Sequence, residues 1–342
     1  MKLIVAIVLG FVLDLIFGDP HWLIHPVQII GWFISFLKEL IWRILYHCDY
    51  KTMRKRKKHR HNILEMIFGF FMAVLIVVGT YIVIWQILEF AAMIHPILKC
   101  VIETLMIYQI FATKSLRTES MKVYKKLKAG KLKAARRELS YLVGRDTQEL
   151  SKEEIIKADI ETIAENIADG VIAPMFFVAI GGAPLGFAYK AANTLDSMVG
   201  YRNKEFKNIG FASAKFDDIW NFIPARLAAF LMVMASGVLK LDMGNAWRIF
   251  KRDRYNHLSP NSAQTEAVAA GALGLQLGGT HNYFGKPVVK PTIGDDLRRA
   301  RPEDIRITNN ILYVSAILNL MVSVLITFLI QTIIWPQLLT LF

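Results

Sequence analysis

Two stretches of this chain run without a charge for longer than the core helix of a soluble domain requires. Residues 66–85, MIFGFFMAVLIVVGTYIVIW, make an uncharged run of 20, and residues 311–335 one of 25. The hydrocarbon layer of a bilayer, about 30 Å thick, is crossed by around 20 apolar residues in helix. Both runs therefore read as spanning helices. The composition agrees: 54% of the 342 residues are hydrophobic and the mean hydropathy is +0.37, against roughly 45–50% apolar residues in a soluble domain. The fold expected is all-α, a polytopic integral membrane protein. About 4–6 helices would span or re-enter, with helical loops on the cytoplasmic side.

The net charge of +13 is unevenly placed. KTMRKRKKHRHN, 51–62, carries seven Lys/Arg and no acid, and 114–160 carries thirteen Lys/Arg against seven acids. Beside membrane helices such segments follow the positive-inside rule and attract anionic headgroups, so nucleic acid is not an expected partner. With both segments in the cytoplasm, 63–88 leaves that side, the chain turns near His95-Pro96, and 97–113 returns despite Glu103. Residues 114–145 read as cytoplasmic helix, broken at Gly130 and Gly144. The apolar run after Lys2 reads as a retained first helix, since Asp14 and Gly18-Asp19-Pro20 follow it with no small-residue cleavage site. Stretches 170–189 and 222–239 are apolar but interrupted by Pro and Gly, and they either span or dip in and return. Cys48 and Cys100 form neither a disulfide framework nor a metal-spaced cluster, and the eight histidines show no zinc spacing. One membrane-embedded domain, 1–342, is the simplest organisation. Within it lie N-terminal membrane helices (1–113), basic cytoplasmic helices (114–160), a catalytic region (161–310) and a C-terminal membrane helix (311–342).

Polar residues gather in three places. In ADIETIAENIADGVIAP, 158–174, Ile156, Ile160, Ile163, Ile167 and Val171 make one apolar stripe, while Glu161, Glu165 and Asp169 recur every fourth residue opposite it. Like charges at that spacing destabilise a helix, and a magnesium ion, which favours carboxylate oxygens, would relieve the repulsion. Asn166 neighbours this stripe. NTLDSMVGYRN, 193–203, places Asn193 and Asp196 on one helical face, with Ser197, Tyr201 and Arg202 following and Gly200 ending the helix. Asp217-Asp218 and Arg226 come next. Acids near the membrane with a divalent ion and an arginine suit phosphate chemistry. RDRYNHLSPNSAQTE, 252–266, holds Arg252, Asp253, Arg254, His257, Ser259, Asn261 and Glu266. It reads as an anion-binding surface whose SPN turn opens a helix with Ser259 or Asn261 as its cap. KPTIGDD, 290–296, follows, and no P-loop is present.

The same blocks carry a resemblance. In order they are Gly18-Asp19-Pro20 with His25-Pro26-Val27, GRDT (144–147), ETIAENIADGVIAP, YKAANTLDSMVGY, DDIWNFIPAR, RDRYNHLSPN, Leu277-Gly278-Gly279 and KPTIG. This order, over about residues 10 to 300, resembles the CobD/CbiB family of cobalamin biosynthesis, the adenosylcobinamide-phosphate synthases. The resemblance implies ATP-dependent amide formation between an amino alcohol, typically (R)-1-amino-2-propanol O-2-phosphate, and the free propionate of adenosylcobyric acid. Ser262-Ala263 after SPN is a minor departure, and the basic run 51–62 concerns topology rather than chemistry.

With that activity in view, Glu161, Glu165, Asp196 and His257 are the catalytic candidates. Asp169, Asp217 and Asp218 are the metal candidates. Asn166, Asn193, Ser197, Tyr201, Arg202, Arg226, Arg252, Ser259, Asn261 and Lys290 would bind substrate and phosphate. ATP and magnesium are the expected cofactors, with the corrinoid as substrate. Expected partners are the lipid bilayer and later membrane enzymes of cobamide assembly, at the cell membrane with the catalytic face cytoplasmic. Two other readings compete. One is a magnesium-dependent membrane phosphotransferase or prenyltransferase, which lacks the DGxxAR…GxxxDxxxD pattern of CDP-alcohol transferases. The other is a corrinoid transporter or scaffold, which would place charges within its long helices.

Overall fold

The computed structural model describes residues 2–20, 25–47, 52, 61–201, 203, 205–283 and 285–334. Most of the basic run 51–62, Cys48 and Arg202 lie outside the described residues. The chain is 76% helical. The helices are α1 (Lys2–Phe17), α2 (Pro26–Tyr46), α3 (Asn62–Ile94), α4 (Pro96–Tyr108), α5 (Thr113–Lys128), α6 (Leu132–Ser140) and α7 (Lys152–Asn166). A π-helical turn, Ile167–Ile172, leads into α8 (Ala173–Val199), followed by α9 (Phe211–Trp220), α10 (Phe222–Val238), α11 (Met243–Asp253) and α12 (Ser262–Leu273). Strands β1 (Leu277–Tyr283) and β2 (Lys286–Ile293) precede α13 (Pro302–Leu329), which runs into a second π turn, Ile330–Ile334.

Among the described residues, four helical segments are long and apolar enough to cross a membrane: Asn62–Ile94, Pro96–Lys128, Lys152–Val199 and Pro302–Ile333. The pair Phe211–Trp220 and Phe222–Val238, broken at Asn221, makes a fifth if it is one span. The hairpin β1–β2 departs from the all-helical expectation. Its antiparallel register runs from Leu277 opposite Ile293 to Tyr283 opposite Lys286, with an irregularity between Gly278 and Thr280. Gly278, Gly279 and Gly294 hold φ of +75°, +93° and +85°. That backbone suits glycine and ends any helix, leaving Thr280–Tyr283 to pair with Lys286–Val289 as a ribbon beyond the irregularity.

The chain divides into two compact units. The first comprises Met1–Gly10, Pro20–Ile110 and Phe177–Trp220. In its core Trp42 stacks on Tyr46 at 5.5 Å, among Ile34, Met72, Ile76, Ala192 and Leu195. Helix starts here use one device twice. His25 and His95 each accept, at Nδ1, the N–H of the residue two ahead (Val27 at 3.2 Å, Ile97 at 3.1 Å), and the proline between them fills the first helical position. An imidazole thus does the work usually done by Ser or Asp, and Pro loses no bond there because that N–H has no helical partner.

Helix α8 breaks at Gly181–Gly182, where Gly182 lies at φ +66°, ψ −163°. The break frees N–H groups, and Glu103 of α4 supplies an acceptor: Ala183 N–H donates to its Oε1 at 3.5 Å. This carboxylate, which weakened the sequence case for a span, is a cap for the second half of α8.

The second unit comprises Phe11–Asp19, Phe111–Phe176 and Asn221–Phe342. Ile156, Ile160, Ile163, Ile167 and Val171 are all fully buried, so the predicted apolar stripe is the inner face of α7. In the π turn, Ala173 N–H reaches five residues back to the Ala168 carbonyl. The Gly170 carbonyl accepts from Ala112 N–H at 3.2 Å, and the Ile172 carbonyl accepts from Asn319 Nδ2 of α13 at 3.3 Å. The Gly-Asp-Pro block closes α1 onto the start of α5. Gly18 turns at φ +61°, Asp19 N–H donates to Ser115 Oγ at 3.0 Å, and Asp14 Oδ2 accepts Thr113 N–H at 3.0 Å. Ala112, at the cap position of α5, has no side chain that could do this.

The conformation at Gly182 is one that only glycine adopts readily, at a cost of about 1–3 kcal/mol for other residues. An added Cβ would also meet Glu103 Oε1 at 2.6 Å. Gly182→Ala is expected to lower the unfolding midpoint in mixed micelles. Gly79→Ala, where a Cβ meets nothing within 4 Å, is expected to leave it unchanged or raise it.

Candidate active site

The sequence-predicted residues fall into two sets, one in each unit. In the second unit, α7 runs beside α12 and the hairpin, and three acids and four basic groups converge there. Glu161, 6% exposed, is bonded through Oε2 to Arg145 and accepts Gly278 N–H at Oε1, 2.8 Å. Burial alone would push the Arg145 guanidinium down, but the charge of Glu161 beside it reverses the balance and raises it. The pair is charged on both sides, with side chains only 7% and 8% exposed. One turn on, Glu165 Oε1 accepts the Ser262 hydroxyl at 2.8 Å, tying α7 to the first residue of α12.

His257 sits in the loop before α12. Its Nδ1 accepts Ser259 N–H at 3.0 Å, which leaves the ring proton of the neutral form on Nε2, and Lys290 Nζ stands 3.4 Å from that nitrogen. Burial first, and then the lysine charge, hold the imidazole below its ordinary value, so it is neutral at pH 7. Glu266 of α12 is pushed the other way. Burial, joined by the negative charges of Glu161 and Glu165, raises its carboxyl well above the carboxylate range. His281 of β1 bonds the Gly278 carbonyl at 3.1 Å and is lowered by burial and then by Arg145. Lys290 of β2 also lies 5.5 Å from the centre of the Tyr283 ring. Titratable groups driven apart by their surroundings are a mark of acid–base sites.

The other candidates of this unit are engaged elsewhere. Arg226 donates to the Phe222 carbonyl at 2.7 Å and to Asn261 Oδ1 at 3.1 Å, and covers the Phe222 ring at 3.7 Å. The expected helix cap is therefore replaced. Asn261 stands at the N-cap position of α12 but spends its side-chain oxygen on Arg226. Ser259 Oγ accepts Asn261 N–H at 3.2 Å, a local turn. Arg252 forks onto Asp253 at 2.7 and 2.8 Å and reaches Asp295 at 2.7 Å, while Asp253 also accepts Gly294 N–H at 2.7 Å. Burial works to raise Asp253, but Arg252 and that N–H outweigh it and hold the carboxyl low. This knot fixes the base of the hairpin to α11. Asn166 Nδ2 donates to the Thr162 carbonyl of its own helix at 2.9 Å. Asp169 lies within the π turn, so the fourfold spacing that would stack it under Glu161 and Glu165 does not carry through.

In the first unit, Asn193 Nδ2 donates to Asp217 Oδ1 at 3.2 Å, and Ser197 Oγ bonds the Asn193 carbonyl at 2.9 Å. Helix α8 ends at Val199 as expected. A Cβ at Gly200 would fall 1.9 Å from Asp196 Oδ1, so glycine lets that carboxylate sit at the helix end. Asp218 accepts Lys215 at 2.9 Å. Tyr201 is half exposed, 6.3 Å ring to ring from Phe206.

Among the described residues no group of three or more His, Cys, Asp or Glu side chains is placed to hold a metal ion. Glu161 is already matched to Arg145. Arg145, Glu266 and His281 were given no role from the sequence. The GRDT block, an arginine and an acid side by side just after the apolar Leu142-Val143, was the available signal for the first of them.

A family model described as CobD/Cbib protein matches residues 7–312. The chain belongs to that family. It is 48% identical over 330 residues to the "Cobalamin biosynthesis protein CobD" of Clostridium perfringens, covering 96% of this chain and all of the relative. The corresponding protein of Geobacter metallireducens is 45% identical, over 94% of this chain and 96% of the relative. The "Cobalamin biosynthesis protein CbiB" of Salmonella typhimurium is 44% identical, over 93% and 95%. No solved structure matches the chain. Membership of this family gives the chain a role in cobamide biosynthesis.

Two outcomes follow from the charges. Removing one partner of a buried ion pair strands the other, at about 3–5 kcal/mol. Arg145→Ala is expected to cost this much in chemical unfolding, and Arg145→Ala with Glu161→Ala much less. For Glu266 the folded value lies above the unfolded one. Its contribution to stability is present at low pH and lost as pH rises through the folded value. The melting temperature of Glu266→Gln relative to the parent is therefore expected to climb with pH.

Proposed function

We propose that the chain is the amide-forming ligase of cobamide assembly. It would join the free propionate of adenosylcobyric acid to (R)-1-amino-2-propanol O-2-phosphate, or a related amino alcohol, with ATP, giving adenosylcobinamide phosphate. The observation that carries this reading is the cluster of Glu161–Arg145, Glu165, His257, Glu266 and Lys290 in the second unit. It holds a neutral imidazole, an acid raised by burial and fixed cations within one partly buried set.

A propionate does not condense with an amine unaided, because its oxygen is a poor leaving group and the amine is protonated. If a carboxylate oxygen takes the terminal phosphoryl group of ATP, with ADP leaving, the acyl carbon becomes open to attack. The amine nitrogen then bonds to that carbon, the C–O bond to phosphate breaks, and inorganic phosphate departs with the electron pair. The chain's residues do the remaining work. His257, neutral and accepting the Ser259 N–H at Nδ1, presents Nε2–H as a donor to a phosphate or acyl oxygen, and the proton the amine loses passes to the departing phosphate. Lys290 holds phosphate oxygens and so positions the nucleophile. Arg145 keeps Glu161 charged and fixed against the Gly278 N–H, which steadies the hairpin that carries Lys290. Arg252 acts by anchoring the hairpin base through Asp253 and Asp295.

Magnesium accompanying nucleotide phosphates needs only one or two protein carboxylates, its remaining ligands being phosphate oxygens and water. Glu165 or Asp169 in the second unit and Asp217 or Asp218 in the first have the donor chemistry for that, and such an ion would neutralise phosphate charge. Glu161 does not fit, being committed to Arg145. The two large polar substrates are cytosolic metabolites, so the reading places the site on the cytoplasmic face of the cell membrane.

Detergent-purified protein with adenosylcobyric acid, ATP, magnesium and aminopropanol phosphate is expected to give a corrinoid heavier by the amino alcohol minus water, and only with ATP. An unchanged corrinoid with folded protein would favour transport or scaffolding. His257→Ala, which removes the Nε2–H donor, is expected to lower turnover by about 10²–10³-fold, and His257→Gln, whose amide can still donate, by less. Turnover of His257→Ala equal to the parent's would remove His257 from the role.

A further inference from the structure

The first unit contains a groove of about 610 Å³ that no step of the proposed reaction uses. Phe70 and Phe71 of α3 line it with Phe211 and Phe216 of α9; Ala212 is the most buried of its lining residues, and Lys215 is the one charged residue among them. Phe70 and Phe216 approach to 6.1 Å between ring centres. The groove starts just past a polar layer in which Asn208 Nδ2 donates to Asn62 Oδ1 at 2.8 Å and to Glu65 Oε2 at 2.9 Å. Phe70 and Phe71 stand five and six residues beyond Glu65, some 7–9 Å along a helix rising about 1.5 Å per residue. On a helix long and apolar enough to span, that is the depth at which acyl chains meet headgroups. Phe71 is 63% exposed, an aromatic face open to an acyl chain.

We infer that this groove binds one acyl chain of a glycerophospholipid, with Lys215 holding the lipid phosphate. Size supports a chain of that length. A cavity of about 150 Å³ holds the six carbons of benzene, so on the order of two dozen carbons fit in 610 Å³, a long acyl chain and its glyceryl carbons. Charge supports the headgroup. The Lys215 ammonium gives one of its three N–H bonds to Asp218 at 2.9 Å, which leaves two donors for phosphate oxygens. Its long stem lets the ammonium rise from an apolar wall to the interface. The inference is independent of the ligase reading.

The test is native mass spectrometry of the full chain, purified in detergent and loaded with phosphatidylglycerol bearing 16- and 18-carbon chains. The parent is expected to keep one phospholipid at detergent levels that strip the rest. Ala212→Trp fills the groove and is expected to cut that retention by about tenfold or more, since several methylenes lose their burial. Phe71→Ser, at an exposed position that the fold does not need, is expected to lower retention with the melting temperature unchanged, so a folding defect in the first variant does not decide the matter. Lys215→Ala is expected to lower retention of phosphatidylglycerol but not of a fatty alcohol. Equal retention by the parent, Ala212→Trp and Phe71→Ser would overturn the groove as the site. Retention indifferent to Lys215 would overturn the phosphate contact.

Discussion

A backbone group that loses its helical partner in an apolar layer must find another, because an unmade bond there costs several kcal/mol. Much of this chain's architecture answers that demand. At the break in α8 the freed Ala183 N–H is met by Glu103. At the π turn the Gly170 and Ile172 carbonyls accept from Ala112 N–H and Asn319 Nδ2. At the start of α5, where Ala112 offers no side chain, Asp14 supplies the acceptor. Polar residues that look misplaced in an apolar sequence are thus partners of irregular backbone.

The same constraint shapes the acidic face of α7. Three carboxylates at fourfold spacing would repel one another, and the structure relieves this in different ways. Glu161 gains a guanidinium and an N–H, Glu165 gains a hydroxyl, and the π turn carries Asp169 out of register. Glu266, brought in by α12, is raised by burial and by the charges of Glu161 and Glu165, against the pull of Lys290 and Arg145. The result is a partly buried set in which charge is favoured on some members and opposed on others, the condition under which acid and base roles can coexist.

The membrane helices were legible because their signal is additive: twenty uncharged residues need no partner to be recognised. The apolar stripe of α7, the break near Gly130 and the turn at His95-Pro96 were legible for the same local reason. The hairpin was not. Its glycines excluded a P-loop but named no strand, since pairing Leu277–Tyr283 with Lys286–Ile293 depends on two segments meeting, and a single segment carries no record of its register. Arg252 illustrates the limit at the site. As a residue type it suits phosphate, but its fork is occupied by Asp253 and Asp295, and only the fold brings Asp295 to it.

What the sequence determined by itself was the class of the protein, its spanning segments and the list of residues with chemistry to offer, because apolar length, charge and residue type are properties of the chain as written. What the tertiary structure decided was which of those residues are joined. Arg145 meets Glu161 across sixteen positions and Gly278 meets it across more than a hundred. Such pairings are chosen by burial, which forces each charge to take whatever partner packing brings within reach.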